Sequence, residues 1–346
     1  MSALDTLRQL PKVRRSWPHD DGSITVELVD DDSRVRAGLI HPNGVWEMAD
    51  YGVDEKLPDL TPHDGIVSHK WHEHAVIMDA DRVYAYMLPE QTRAIIRAHS
   101  LLAQKCTAAH LNVARVLSHT DSMVILNRLP GIAVYDFGDE AAPAWVIFAQ
   151  LWPQFTTFQL PVKKHTAADE ARALRWWADR VPGISVDQAI AGLTDGTPDP
   201  EVLLHGDLHD KHLFFDGSRL SLVSLETLAR GEAAADLGNV LAYAELRWHQ
   251  GNINDATRDV MVDSVHTLAD SLHVSPARLS AYYEAARRRV ACVYAPGSLP
   301  ASPAPITPRT DGLPRLWAVP YSRLHPGCLQ RPACAPCLRP DPTRRL

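Results

Sequence analysis

The segment from His205 to His212 reads HGDLHDKH and holds the residues best suited to chemistry. The apolar pair Leu203 and Leu204 precedes it, and the apolar residues 213–215 follow at once. A polar turn between two short apolar runs indicates a loop between two strands. Such a loop would display the carboxylate of Asp207 on a rigid support, where it can accept a proton.

A second apolar run, residues 220–223, is followed by Ser224 and Glu226, and a helix-like segment opens at Asp236. The predicted order is therefore loop, hairpin, loop and helix. Phosphoryl transfer needs few covalent participants: an aspartate that deprotonates the accepting hydroxyl, groups that hold magnesium, and a cation on the phosphates. The segment offers the aspartate clearly and the other groups only in altered form.

Residues 205–237 resemble, without a gap, two motifs of the aminoglycoside phosphotransferase and choline kinase-like family, which is related to the protein kinases. The motif H-[RG]-D-x-x-D-K-Q is similar to residues 205–212. The motif L-[IL]-D-x-[DE]-T-x-x-x-G-[DE]-x-x-x-D-L is similar to residues 222–237. The resemblance implies an α+β, two-lobed protein-kinase-like fold, with a β-rich amino lobe, a mostly helical carboxy lobe, and ATP as the phosphoryl donor.

The resemblance also implies a role for each matched residue. Asp207 falls on the catalytic base, His205 on the residue that braces the loop, and Asp236 on the aspartate that ties the loop to the next helix. His212 falls where the family places a magnesium-binding Asn or Gln, and Ser224 where it places the main magnesium-binding Asp.

These two departures alter the expected Mg²⁺ site. A neutral imidazole and an uncharged hydroxyl are poor ligands for a hard cation that prefers oxygen and charge. Residues two apart in an extended segment point the same way, so we expect Glu226 to reach the site that Ser224 no longer serves, helped by His212.

The amino-terminal match is less complete. Residues 65–90 alternate like two paired strands with a turn at 79–81. The family places a phosphate-binding lysine on the second strand, where this chain has Tyr86; Lys56 and Lys70 are the nearest substitutes.

Residues 114–131 resemble the last strands of the amino lobe and the hinge, which ends on the turn Leu129-Pro130-Gly131. The resemblance places the adenine of ATP near Leu126 and Leu129. Farther along, Thr166 and Asp169 have the spacing of a capping box and predict the start of a helix.

Composition narrows the class of protein. The chain has 346 residues, 45% hydrophobic and 22% charged, which is typical of soluble globular proteins. It has no apolar run long enough to cross a bilayer and no apparent secretory signal, so we expect it in the cytoplasm. A net charge of −7 argues against nucleic acid as the main partner and favours a cationic small-molecule acceptor.

The length suggests more than one folding unit. We expect a nucleotide lobe over residues 1–128, a helical catalytic lobe over 129–295, and a tail over 296–346. The tail is rich in Pro, Arg and Cys, lacks helical periodicity, and is predicted to be disordered. Within it, His325, Cys328, Cys334 and Cys337 form a possible set of zinc ligands, although chance spacing is the simpler interpretation.

Three functions remain open at this point. The first is an ATP-dependent phosphotransferase acting on a hydroxyl of a small molecule, such as an aminoglycoside-like sugar, an amino alcohol or a biosynthetic intermediate. The second is a catalytically impaired pseudokinase that serves as a binding or partner module. The third, which we favour least, is a metal-dependent protein built around His205, His209 and His212.

Overall fold

The computed structural model describes residues 2–181 and 183–293. The predicted tail, with its cysteines, lies outside these residues. The amino-terminal part of the described chain is rich in strands and the carboxy-terminal part is mostly helical, which confirms the predicted α+β class. Within the described ranges, no helix combines the length and apolar composition needed to span a bilayer.

The chain begins with a helix and an antiparallel sheet whose neighbouring strands are consecutive in sequence. These elements are α1 (Ala3–Gln9), β1 (Val13–Pro18), β2 (Ile24–Val29), β3 (Val35–Ile40) and β4 (Trp46–Met48). One face of β2 packs on α1 through Ile24 and Val26. The other face carries the buried Glu27, whose carboxylate accepts hydrogen bonds from the Ser68 hydroxyl (3.0 Å) and the His69 N–H (2.9 Å).

Ser68 and His69 belong to a second sheet, so Glu27 joins the two. The second sheet has the strand order β5-β6-β7-β10-β9. Its region contains β5 (Ile66–Lys70), β6 (His74–Met78), β7 (Arg82–Met87), α2 (Pro89–Ala108), β8 (Leu111–Val113), β9 (Val116–His119) and β10 (Met123–Asn127). Strands β6 and β7 are antiparallel and joined by the predicted turn at residues 79–81. Residues 65–90 nevertheless contain three strands rather than the predicted two, because a second turn at residues 71–73 separates β5 from β6.

The carboxy-terminal part consists mainly of helices, with short strands that carry the loops of interest. In chain order it contains β11 (Ile132–Ala133), a 3₁₀ helix (Val134–Glu140), α3 (Ala142–Thr156), α4 (Ala167–Arg180), α5 (Asp187–Thr194), β12 (Glu201–Leu204), β13 (Leu213–Phe215), β14 (Leu220–Leu222), β15 (Ala229–Glu232), α6 (Ala234–His249), α7 (Asp255–Ser271) and α8 (Pro276–Val293). Strands β11, β13, β14 and β8 form one sheet, and β12 pairs with β15.

Two local patterns explain the helices of this part. Aromatic side chains recur every three or four residues along α3 and are almost fully buried, so they form the apolar stripe that a core helix requires. They are Trp145, Phe148, Trp152 and Phe155. The Thr166 hydroxyl accepts a hydrogen bond from the Asp169 N–H, and the Asp169 carboxylate accepts one from the Thr166 N–H, so the predicted capping box does begin α4.

Helices α6 and α8 pack closely because their contact combines a glycine with buried ion pairs. Glu245 of α6 accepts hydrogen bonds from Arg287 (2.9 Å) and from the Tyr283 hydroxyl (2.6 Å), both on α8. A Cβ at Gly238 of α6 would lie 2.6 Å from the main-chain N of Tyr283. The two backbones can approach this closely only because position 238 has no side chain.

The amino-terminal sheet also contacts the helical part. Asp20, in the turn between β1 and β2, accepts hydrogen bonds from the indole N–H of Trp176 (3.0 Å) and from the guanidinium of Arg180. Both partners lie on α4. The turn therefore rests on a helix more than 150 residues away in sequence.

Gly238→Ala is predicted to destabilise the protein by about 1–3 kcal/mol, the cost of forcing atoms into a packed contact. Gly192→Ala in α5 is the matched control: its Cβ would meet only the Ala281 Cβ at 3.7 Å. Better helix propensity should leave that variant unchanged or more stable, by up to about 1 kcal/mol. Urea unfolding of both variants measures the difference, and equal stabilities would contradict the close α6–α8 contact.

Candidate active site

The loop from His205 to His212 connects β12 with β13, as predicted. Its sharp turn depends on Gly206, which has φ of +85°, a region that residues with a Cβ rarely adopt. A Cβ there would lie 2.2 Å from the carbonyl oxygen of Thr227. The Thr227 hydroxyl in turn donates to the His205 carbonyl oxygen (2.8 Å), so this stretch of chain fits against the loop on both sides.

Asp236 holds the start of the loop. Its carboxylate oxygens accept the N–H groups of His205 (2.7 Å) and Gly206 (2.9 Å). Asp236 lies in the first turn of α6 and is almost fully buried. Burial raises the pKa of Asp236 to about 7, although the two N–H donors act in the opposite direction. The structure thus brings Asp236 to the loop in the position that the resemblance implies.

His205 is fully buried beneath the loop, and both of its ring nitrogens are used. Nε2 lies 2.8 Å from the carbonyl oxygen of Val223, and Nδ1 accepts the N–H of Asp207 (3.3 Å). This arrangement places the ring proton on Nε2. Burial is the main cause that lowers the pKa of His205 to about 3, and the nearby His212 is the next largest. The ring is therefore neutral and supports the loop.

Asp207 projects from the loop with a partly exposed side chain. Its Oδ2 lies 3.9 Å from Nε2 of His209 and 3.7 Å from Nδ1 of His212. Burial acts to raise the pKa of Asp207, but His212 and His209 outweigh it, and the pKa is lowered. The carboxylate is therefore ionised at neutral pH and able to accept a proton.

His212 and Ser224 lie on adjacent segments, but the segment from Ser224 to Glu226 is not extended as expected. Ser224 has a left-handed backbone and a 3₁₀ turn follows over Leu225–Thr227, so a spacing of two does not place Glu226 on the same side as Ser224. The donor groups also do not fit Mg²⁺. The Nδ1–H of His212 donates to the main-chain oxygen of Asp207 (2.7 Å). The N–H of Val223, next to Ser224, donates to the His212 carbonyl oxygen (3.1 Å). Glu226 is exposed and forms no ion pair with another described residue. One imidazole, one hydroxyl and a single carboxylate are a poor set for an ion that prefers octahedral oxygen ligands.

Leu126 and Leu129, predicted to lie near the adenine, stand where the second sheet passes into the helical part. Leu126 of β10 packs beside Val124 on the face that α2 covers, and Leu129 is buried. Gly131 follows with φ of +86°, and a Cβ there would lie 2.1 Å from the Phe215 carbonyl oxygen. The Leu-Pro-Gly turn therefore leads directly onto the sheet that follows the loop from His205 to His212.

The phosphate-binding lysine has no counterpart on the α2 side of β7. Tyr86 is buried in a cluster with Ile77 and Leu57, whereas Ala85 and Met87 face α2. Of the two substitutes considered from the sequence, Lys56 is exposed. Lys70 forms an ion pair with Glu73 at 2.6 Å.

Asp210, the second aspartate of the loop, is engaged in a buried ion pair and is not available to hold a cationic substrate. Asp210 is buried, and its carboxylate accepts hydrogen bonds from Nε (2.7 Å) and NH2 (3.2 Å) of Arg247. The partner lies on α6, 37 residues away, so spacing within the loop gave no sign of it. The pair fixes the second half of the loop, and Asn239 of the same helix donates to the Leu208 carbonyl oxygen (2.9 Å).

Comparison with known families gives a match to the phosphotransferase enzyme family over residues 82–259, slightly more than half of the chain. The matched range includes the loop, the hairpin after it, and Asp236. Comparison with curated proteins gave no match.

Several solved structures resemble this one at low sequence identity. An aminoglycoside phosphotransferase from Streptomyces rimosus has 16% identity and a TM-score of 0.46, over 62% of this chain and 89% of its own. A macrolide 2′-phosphotransferase from Brachybacterium faecium has 18% identity and a TM-score of 0.40, over 61% and 87%. Plasmodium vivax ethanolamine kinase has 12% identity and a TM-score of 0.44, over 66% and 74%. Similarity at this level does not identify a substrate.

The neutral state of buried His205 predicts a measurable pH dependence. Its pKa of about 3 in the folded chain is below the 6.5 of a free histidine. The unfolded chain therefore takes up a proton that the folded chain does not, and the contribution of His205 to stability is lost as pH falls below about 6.5.

His205→Asn should reduce the dependence of unfolding free energy on pH between 6 and 5 by up to about 1.4 kcal/mol per pH unit. Urea unfolding at several pH values gives this slope, which is independent of any constant loss of stability in the variant. The exposed His119→Asn serves as the control and should keep the wild-type slope. An unchanged slope in His205→Asn would show that His205 is protonated in the folded protein.

Proposed function

Because this chain belongs to the phosphotransferase enzyme family, we propose that it transfers the γ-phosphoryl group of ATP to a hydroxyl group of a small molecule. Candidate acceptors are an aminoglycoside-like sugar, an amino alcohol or a biosynthetic intermediate, and the net charge of −7 favours a cationic one. The observation that carries the proposal is the ionised, partly exposed carboxylate of Asp207 on a loop whose backbone Asp236 holds.

In this proposal Asp207 orients the acceptor hydroxyl and takes its proton as the oxygen attacks the γ-phosphorus. The bond between the γ-phosphorus and the bridging oxygen breaks, and ADP leaves with that oxygen. His205 holds the main chain of Asp207, and Asp236 holds the turn before it. The adenine lies near Leu126 and Leu129.

Asp207→Asn tests the base directly, because it keeps the shape of the side chain and removes the proton acceptor. With an acceptor found by screening hydroxyl compounds with ATP, we expect the rate of phosphorylation to fall by about 10²- to 10⁴-fold. The melting temperature should change little. Asp121→Asn, on an exposed turn remote from the loop, should retain wild-type activity.

Phosphorylation at the same rate by wild type and Asp207→Asn would remove Asp207 from the base role. No turnover of any acceptor in a broad screen, with Mg²⁺ and with Mn²⁺, would refute the proposed activity. The pseudokinase interpretation would then account for the fold.

A second experiment restores the oxygen ligands of the family. Ser224→Asp combined with His212→Gln should strengthen magnesium-dependent ATP binding by about 1.5–3 kcal/mol, the range for an added charged partner. Position 224 has φ of +58°, which Asp tolerates better than most residues. Calorimetric titration with ATP, in Mg²⁺ and in chelator, measures the gain.

Ser33→Asp is the matched control for this variant. Ser33 also has a left-handed backbone, with φ of +62°, but lies on the exposed turn between β2 and β3. It adds the same charge in the same conformation away from the site. ATP binding that improves equally in both variants would point to net charge, and no improvement in the double variant would show that other positions limit the site.

A further inference from the structure

Three side chains of the catalytic loop converge in a way that the proposed phosphoryl transfer does not explain. Asp207, His209 and His212 each offer one ligand atom, and the three atoms lie within 4.8 Å of one another. The imidazole rings of His209 and His212 have centroids only 3.9 Å apart. Ligand atoms around one zinc-sized ion, each about 2 Å from it, lie roughly 3–4 Å apart. Small side-chain rotations would therefore bring the three atoms to coordination distance of one ion.

The groups behind these ligands resemble the support that metal-binding histidines receive in proteins. Such a histidine usually has its other ring nitrogen against a carboxylate or a main-chain oxygen, which orients the ring. Nδ1 of His209 lies between the carboxylate of Asp210 (3.4 Å), which Arg247 holds in place, and the N–H of Lys211 (3.2 Å). A metal ion on Nε2 therefore requires the ring proton on Nδ1 to face Asp210. Nδ1 of His212 lies 2.7 Å from the main-chain oxygen of Asp207.

His205 is not part of this set, although the sequence suggested it as one of three clustered histidines. One of its nitrogens faces the Val223 carbonyl oxygen and the other accepts the Asp207 N–H, so neither has a free lone pair. The carboxylate of Asp207 takes its place. The result is two imidazoles and one carboxylate on a single short loop.

We propose that Asp207, His209 and His212 form a binding site for a divalent transition-metal ion, through one carboxylate oxygen and one nitrogen of each imidazole. Imidazole favours ions such as Zn²⁺, Co²⁺ and Fe²⁺, whereas Mg²⁺ prefers oxygen throughout. Three protein ligands leave coordination positions open to water or to an oxygen of a bound molecule. The predicted magnesium ligands were His212, Ser224 and Glu226, so the two sites have only His212 in common.

The test measures metal binding in the absence of ATP and acceptor, so its outcome does not depend on phosphoryl transfer. The full chain is used with Cys334→Ser and Cys337→Ser, which removes two of the four possible zinc ligands of the tail and leaves too few to form a zinc site there. Co²⁺ is titrated and followed by visible absorption, Zn²⁺ is titrated calorimetrically, and the melting temperature is recorded with and without Zn²⁺.

One ion should bind per chain, and Zn²⁺ should raise the melting temperature. His209→Ala and His212→Ala should each weaken binding by at least about tenfold and abolish the thermal shift. His119→Ala, which removes an exposed histidine of β9, should bind as the wild type does. A large excess of Mg²⁺ should leave the Co²⁺ spectrum unchanged.

The proposal is overturned if neither Zn²⁺ nor Co²⁺ binds, if His119→Ala weakens binding as much as His209→Ala, or if Mg²⁺ displaces Co²⁺. Circular dichroism of each variant shows whether a loss of binding reflects unfolding. If a variant proves unfolded, His209→Gln and His212→Gln, which keep more of the side-chain volume, replace the alanines. If metal binds here and the separate acceptor screen with ATP finds no phosphorylation, the proposed function is refuted and the metal site stands.

Discussion

One buried carboxylate determines the geometry of the loop from His205 to His212. Asp236 accepts the two N–H groups at the start of the loop, and that of His205 is buried away from solvent. Gly206 can then turn sharply against Thr227 without leaving a donor unpaired. Because Asp236 belongs to the first turn of α6, and α6 packs against α8, the position of Asp207 depends on the core of the helical part.

The sequence was informative where the determinants of a structure are local. The loop could be predicted because its apolar flanks, glycine and aspartate fall within a few residues, and Thr166 with Asp169 placed a helix start for the same reason. Contacts between distant segments were not predictable. Asp210 pairs with Arg247, 37 positions away, and Glu27 supports β5 across at least 41 positions. No spacing rule connects residues this far apart.

The polar groups of the loop divide into those that are fully engaged and those that are available. Both nitrogens of His205 are engaged, as is the carboxylate of Asp210, so these residues fix the backbone. Residue type alone could not make this distinction, because it depends on which atom of each side chain meets a neighbour. The carboxylate of Asp207 remains accessible, and a proton and a metal ion would compete for its lone pairs.

The similarity to the family begins at Arg82, the first residue of β7, yet this is not where the folded unit begins. Strand β7 is internal to its sheet, with β6 on one side and β10 on the other. A fragment that started there would turn β7 into an edge strand, with a row of unpaired N–H and C=O groups ready to pair with other chains. Such a fragment would aggregate because β6 is missing, not because of any defect in the loop from His205 to His212. Activity studies on this protein therefore need the residues that precede the family match.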